Sequence, residues 1–258
     1  MATAMHLWGA MSEQWELDVC PECGEQFEVI AQHWLQTSCS YPEFTDSQHE
    51  VLTGLLMGDG CLSGRNSNRP FMEIKMTNDG YLHYLSSEVF PTLSKSPLIC
   101  NTAEEQALSA RESGFQSNAD ADNFSDLFAL NIMAHPELSR YASWYSSGSK
   151  IFPEEIKLTP TTLKHWFVGD GAFRKERATA EITLNNERDN CQKIESMFEW
   201  AGFEDFRWNR HELPRDKKDG AYIHFNQEGT KWFFRYIGDP LPGFKRKWPD
   251  DRSTLGIR

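Results

Sequence analysis

The 258-residue chain predicts an α+β fold: two pseudo-symmetric half-domains behind a small cysteine-bearing N-terminal segment. Three observations carry that expectation. The sequence from Thr45 onward can be laid over its own second half, an apolar helix ends in Gly-Asp-Gly once in each half, and a Cys-x2-Cys pair precedes both copies. The expected boundaries are 1–44 for the N-terminal segment, 45–153 for the first half and 154–258 for the second.

The N-terminal segment reads "CPECGEQFEVIAQHWLQTSC". Cys20 and Cys23 flank a tight turn, and His33 and Cys39 follow at a spacing that lets two thiolates on a turn and a His plus a Cys on a short helix close a tetrahedron around Zn²⁺. All four positions are filled, so the zinc is expected to be structural. It would stabilise a segment too small for its own core, helped by Phe27 and Trp34. Cys61, Cys100 and Cys191 are scattered and are expected to be buried small hydrophobes.

In the first half, "TDSQHEVLTGLLMGDG" offers cap residues from Thr45 and apolar residues at Val51, Leu52, Leu55 and Leu56, a helical period. Strand candidate "FMEIKMTNDG", helix "YLHYLSSEVFPTL", strand-like "ARESGFQSN" and short helix "ADNFSDLFAL" follow. In the second half, "TPTTLKHWFVGDG" starts at Thr159 with Pro160 in the first turn. Strand "AEITLNNERD", helix "NCQKIESMFEWAG", strand-like "GAYIHFNQEG" and helix "TKWFFRYIG" repeat the order. Each half closes on a basic residue, one more residue, an aromatic and a proline: Lys150-Ile151-Phe152-Pro153 and Arg246-Lys247-Trp248-Pro249. A repeat this long and this few excludes a solenoid.

Composition bounds the function. Hydrophobic content of 39%, with 13% aromatic residues, excludes a disordered chain. No apolar run approaches the ~20 residues of a membrane span, and "MATAMHLWGAMSEQWELD" lacks a basic region followed by an apolar one. A cytoplasmic protein without membrane contact is expected. The net charge of −12 is unfavourable for a phosphate-rich partner unless base collects locally, as in "FRKER", "PRDKKD" and "FKRKW". The acidic balance, with 14 Arg against 12 Lys, also fits a salt-rich cytoplasm. An acidic interaction module that touches no nucleic acid is the plain alternative.

Gly54 and Gly58, with Gly169 repeating the second, would let two helices approach closely and bring Asp59 and Asp170 together. Two carboxylates at paired helix C-termini repel each other and face the negative ends of two helix dipoles. A divalent cation, Mg²⁺ or Mn²⁺, resolves that conflict and suits phosphoryl chemistry.

These motifs resemble those of the LAGLIDADG homing endonucleases in their single-chain, two-motif form. "LTGLLMGDG" agrees with the nine-residue motif at Leu52, Gly54, Leu55, Asp59 and Gly60, and "LKHWFVGDG" at Leu163, Asp170 and Gly171, with His165 standing where Gly54 stands in the first. The likeness spans about Thr45 to Trp248. It implies an αββαββα unit in each half, antiparallel sheets forming a saddle over double-stranded DNA, and a monomer with internal pseudo-two-fold symmetry. It also implies a metal-dependent, site-specific endonuclease with Asp59 and Asp170 as metal ligands and a basic residue near each, for which Lys150 and Lys245 are the candidates. Arg65, Arg69, Lys75 and the polar Gln116 and Asn118 are the DNA-contact candidates of the first half. Those of the second are Arg174, Lys175, Arg177, Asn185, Arg207, Arg210 and His224. The finger would add DNA contacts, and the gene would belong to a mobile element. A non-cleaving DNA- or RNA-binding relative, such as a regulator or splicing helper, is the alternative reading.

Overall fold

The computed structural model describes residues 18–20, 22–27, 30–65, 70–145, 150–184, 190–203, 208–211 and 221–250, the 208–211 stretch as backbone. The chain divides into two compact units, 1–43 and 44–258. In the first, strands β1 (Asp18–Val19) and β2 (Gln26–Phe27) pair antiparallel, and helix α1 (Ile30–Gln36) follows. The turn between the strands is closed by Cys20 N–H donating to Glu25 O at 2.9 Å and Gly24 N–H to Cys20 O at 2.8 Å. Gly24 sits at φ +76°, a left-handed position suited to glycine. Phe27 stacks on the His33 ring at 4.0 Å, and Trp34 packs at 5.1 Å from Tyr41.

The second unit contains the repeat. Helix α2 (Asp46–Met57) begins at a capping box in which Thr45 and Gln48 satisfy each other's backbone N–H groups. Strands β3 (Cys61–Ser63) and β4 (Phe71–Met76), helix α3 (Asp79–Tyr84) with a π-turn over Leu85–Val89, and strand β5 (Leu98–Asn101) follow. Next come helix α4 (Ala103–Glu112), strand β6 (Leu127–Ile132) and a 3₁₀ segment, Pro136–Tyr145. The second half runs α5 (Pro160–Asp170), β7 (Gly171–Arg174), β8 (Thr179–Thr183), α6 (Cys191–Trp200), β9 (Trp208–His211), β10 (Tyr222–Phe225) and α7 (Gln227–Ile237). The antiparallel sheets have the orders β3-β4-β6-β5 and β7-β8-β10-β9, the same topology twice. Both carry their apolar residues inward: Met72, Ile74, Leu130 and Ile132 in one, Ala180, Ile182, Ile223 and Phe225 in the other.

Helix α4 departs from the expected repeat. The sequence predicts a strand over 110–118 and a helix over "ADNFSDLFAL"; instead α4 ends at Glu112, a turn follows, and the strand is Leu127–Ile132. The reason is local. Thr102 and Glu105 form a second capping box, which starts a helix inside the β5–β6 hairpin; the matching β9–β10 connection lies outside the described residues. Cys61 and Cys100 are exposed rather than buried, because β3 and β5 present them on the outer sheet face, while Cys191 is buried as expected.

α2 and α5 pack against each other at the centre. A Cβ at Gly54 would lie 2.3 Å from Thr162 O and 2.8 Å from His165 Cβ, so this glycine sets the approach of the two backbones. At Gly58 a Cβ would meet only ordinary contacts, the nearest 3.5 Å away. Gly54→Ala is therefore expected to destabilise the unit by about 3 kcal/mol, and Gly58→Ala by under about 1 kcal/mol, read from denaturant midpoints. His165 fills the space that Gly54 leaves, which explains why the second motif carries a large residue where the first carries none. The Tyr81 hydroxyl hydrogen-bonds His165 Nδ1 across the two halves.

Burial lowers the His165 pKa from 6.5 to about 3, with Lys164 acting in the same direction. The unfolded chain therefore protonates this ring below pH 6.5 while the native chain does not until about 3. Its contribution to stability is full above 6.5 and is lost as pH falls, by about 1.4 kcal/mol per pH unit. The denaturant midpoint of the wild type should fall more steeply over this range than that of His165→Gln.

Candidate functional site

The C-terminal ends of α2 and α5 deliver the two motif carboxylates to one place. α2 stops at Met57 with Gly58 as its cap, leaving Asp59 just beyond the helix, whereas Asp170 is the last residue of α5. Each carboxylate lies against the glycine of the opposite motif: Asp170 Oδ2 is 3.6 Å from a Cβ position on Gly58, and Asp59 Oδ2 is 3.3 Å from one on Gly169. Asp59 keeps an open face to solvent. The chain packed around it raises its pKa above the usual value, with Lys247 and then Lys150 acting against that rise.

The two ammonium groups occupy matching positions. Lys150 Nζ donates to Leu56 O at 2.8 Å and Gly58 O at 3.2 Å, and Lys247 Nζ to Val168 O at 2.6 Å and Gly169 O at 3.1 Å. Each lysine thus caps the terminal carbonyls of one motif helix, where positive charge is favoured by the dipole. Lys245, the sequence candidate for the second half, is exposed, and the structure gives its place to Lys247. The physical reason is the 3₁₀ turn Lys245–Lys247, which brings the residue immediately before Trp248 inward, whereas in the first half the inward lysine stands two before Phe152. Burial lowers the Lys247 pKa, while Asp59 and Asp170 work to raise it.

Two residues that escaped sequence reasoning hold this arrangement. Asn190 is wholly buried; its Oδ1 accepts the Phe152 N–H at 2.7 Å and its Nδ2 donates to Lys150 O at 2.8 Å, so the second half grips the backbone that carries Lys150. Trp166 Nε1 donates to Asp170 Oδ2 at 3.3 Å. The position in register on α2 is Leu55, which has no donor. Trp166 stands inside the second motif but reads there as a core residue, and Asn190 belongs to no pattern that points to a site; an Asn with both amide ends committed to backbone is visible only in three dimensions.

The contact candidates scatter more widely. On the outer face of the first sheet stands Lys75, in an ion pair with Glu73 at 2.9 Å. Arg65, just past β3, donates to Leu62 O at 2.6 Å and lies over the Tyr145 ring at 3.9 Å. Gln116 and Asn118 are exposed in the turn after α4, not on a sheet strand. Arg174 pairs with Glu181 on the second sheet's outer face, which His224 shares. Lys175 and Arg177 stand in the exposed β7–β8 turn, Lys175 paired with Asp250 at 2.7 Å. Arg69, Asn185 and Arg207, and the side chain of Arg210, lie outside the described residues.

In the N-terminal unit, Cys20, Cys23, His33 and Cys39 place one ligand atom each within 4.8 Å of all the others, with Cys23 Sγ 3.4 Å from His33 Nε2. Desolvation pushes the Cys20 thiol up, but hydrogen bonds from the Cys23 and Glu22 backbone outweigh it and bring its pKa to about 6. Cys39 sits at about 11: the Thr37 hydroxyl lowers it, but desolvation and the neighbouring thiols, Cys23 and Cys20, raise it further. Thiols that compete for one negative charge fit a shared cation, and three sulfurs with one imidazole fit the donor set of Zn²⁺.

Residues 49–233 match the LAGLIDADG DNA endonuclease family. Two proteins named RecA are similar over part of their length. That of Mycolicibacterium chitae is 33% identical over 50% of this chain and 27% of its own, and that of Mycobacterium shimoidei is 30% identical over 60% and 33%. The chain thus spans about a third or less of the curated relatives it matches. A solved structure of mesophilic variants of the homing endonuclease I-DmoI aligns with 76% of this chain and 97% of its own at 14% identity and a TM-score of 0.42. Among the described residues no helix is long and apolar enough to cross a membrane.

Proposed function

The chain belongs to the LAGLIDADG DNA endonuclease family, and from that premise we propose that it is a site-specific endonuclease that hydrolyses both strands of double-stranded DNA. The observation that carries this reading is the meeting of two carboxylates at the ends of two touching helices, each helix capped by a lysine ammonium group. Asp59 and Asp170 are the metal-holding residues. A divalent cation such as Mg²⁺ or Mn²⁺ supplies Lewis-acid stabilisation of phosphoryl oxygens and a more acidic water.

The chain's own residues do the rest. Lys150 and Lys247, already aimed at the helix ends, offset charge that builds on the scissile phosphate. Asn190 holds Lys150, and Trp166 orients Asp170. The outer faces of the two sheets lie along the major groove, and the single chain supplies both half-sites, 45–153 and 154–258, so it acts as a monomer. Zn²⁺ is structural in the N-terminal unit, which extends the DNA contact. With a net charge of −12, affinity rests on local base and on direct base contacts more than on overall charge.

The test is incubation with Mg²⁺ and a plasmid library of random duplex inserts, followed by sequencing of the cut ends. Double-strand breaks confined to one family of related sequences, and abolished by chelation, are expected. Selective binding with no cleavage under any divalent metal would replace this reading with a non-cleaving binder.

A further inference from the structure

We propose that Glu73 and Glu181 are base-reading residues that select a cytosine on each side of the cut. This rests on the endonuclease reading and names part of its substrate. The two glutamates stand at the same point of the repeated sheet. Glu73 pairs across β3–β4 with Cys61, and Glu181 pairs across β7–β8 with Ala172. Cys61 and Ala172 are each the second residue after a motif aspartate. Both glutamates face outward, because their strand neighbours Met72 and Ile74, and Ala180 and Ile182, are wholly buried.

A carboxylate on a surface that meets DNA is repelled by phosphates, so its recurrence at both equivalent points asks for a donor on the other side. In the major groove the cytosine N4 amino group is the donor that Glu and Asp accept from. Each glutamate is oriented by a cation. Lys75 Nζ lies 2.9 Å from Glu73 Oε2, and Arg174 donates through Nε to Glu181 Oε1 at 2.7 Å and through Nη2 to the same oxygen. Among the described residues only one oxygen of each carboxylate is engaged in this way, which leaves the second to accept from a base.

The cations come from unrelated positions, one on β4 itself and one on β7. It is the carboxylate, and not its partner, that repeats. Asn131 on β6 faces Glu73 and His224 on β10 faces Glu181, extending each row with a second polar side chain suited to the adjoining base.

The experiment is selection from a random duplex library by two routes, cleavage with Mg²⁺ and binding without divalent metal, using the full chain and the variants Glu73→Gln and Glu181→Gln. The wild type should favour cytosine about tenfold at two positions, one on each strand, related by the pseudo-two-fold axis. Each variant should relax only its own position and shift it toward adenine, which an amide contacts through N6 and N7, with an unchanged melting temperature. Glu73→Ala and Glu181→Ala should lose the preference without gaining adenine. A selective wild type whose base profile survives all four variants would overturn the inference while leaving the endonuclease reading intact. A uniform loss of binding across sequences in the variants would overturn it as well. A wild type that neither binds nor cuts any sequence selectively would overturn both.

Discussion

Asp59→Asn is expected to abolish cutting of one DNA strand, and Asp170→Asn cutting of the other, so that each variant turns a double-strand break into a nick. The carboxylates sit at two helix ends, each end capped by its own lysine, so there are two linked half-sites rather than one. Removing a metal ligand forfeits several kcal/mol of charge stabilisation, or a rate loss of about 10³-fold or more on the affected strand. Gel separation of nicked from linear plasmid reads it directly. Continued cutting of both strands by either variant would contradict the assignment.

The same substitution has a second expected consequence. Because the Asp59 pKa is raised in the folded chain, its favourable contribution is present below the unfolded value of 3.8 and is lost as pH rises through the folded value. At neutral pH the ionised carboxylate is therefore a cost to the metal-free protein. Asp59→Asn should fold at least as stably as the wild type, a site held for function at the expense of stability. A variant that lost both cleavage and folding would point to a structural aspartate instead.

Removal of zinc is the second large effect. Among its described residues the N-terminal unit has two two-residue strands and one short helix, which leaves its folding dependent on a metal. The purified chain should carry one zinc ion, and Cys20→Ser or Cys39→Ser should release it. Limited proteolysis of either variant should then cleave within 18–43 and spare the second unit. Binding of zinc to classical finger peptides is of order 10 kcal/mol, so the change should be all-or-none. Equal protection of that segment with and without metal would contradict the assignment.

Much of this was legible in residue order because local chemistry fixed it. Thr45 and Thr159 cap their helices as their spacing predicts, and the strands "FMEIKM" and "TAEIT" alternate as written. What escaped depends on three-dimensional registration. The helix inside the β5–β6 hairpin obscured the first half's last strand, so Gln116 and Asn118 were placed on a sheet they do not join. One residue of difference in the approach to Phe152 and Trp248 hid Lys247 behind Lys245. His165, which weakens the motif on paper, is the complement of Gly54 in space.

In the proposed site Asp59 and Asp170 each hold metal at one of the two scissile phosphates. Anomalous diffraction from crystals of the protein with its selected duplex, grown in Mn²⁺, tests it most directly. Anomalous peaks within bonding distance of both carboxylates are the predicted result. Metal bound to the duplex with neither aspartate in reach would contradict it.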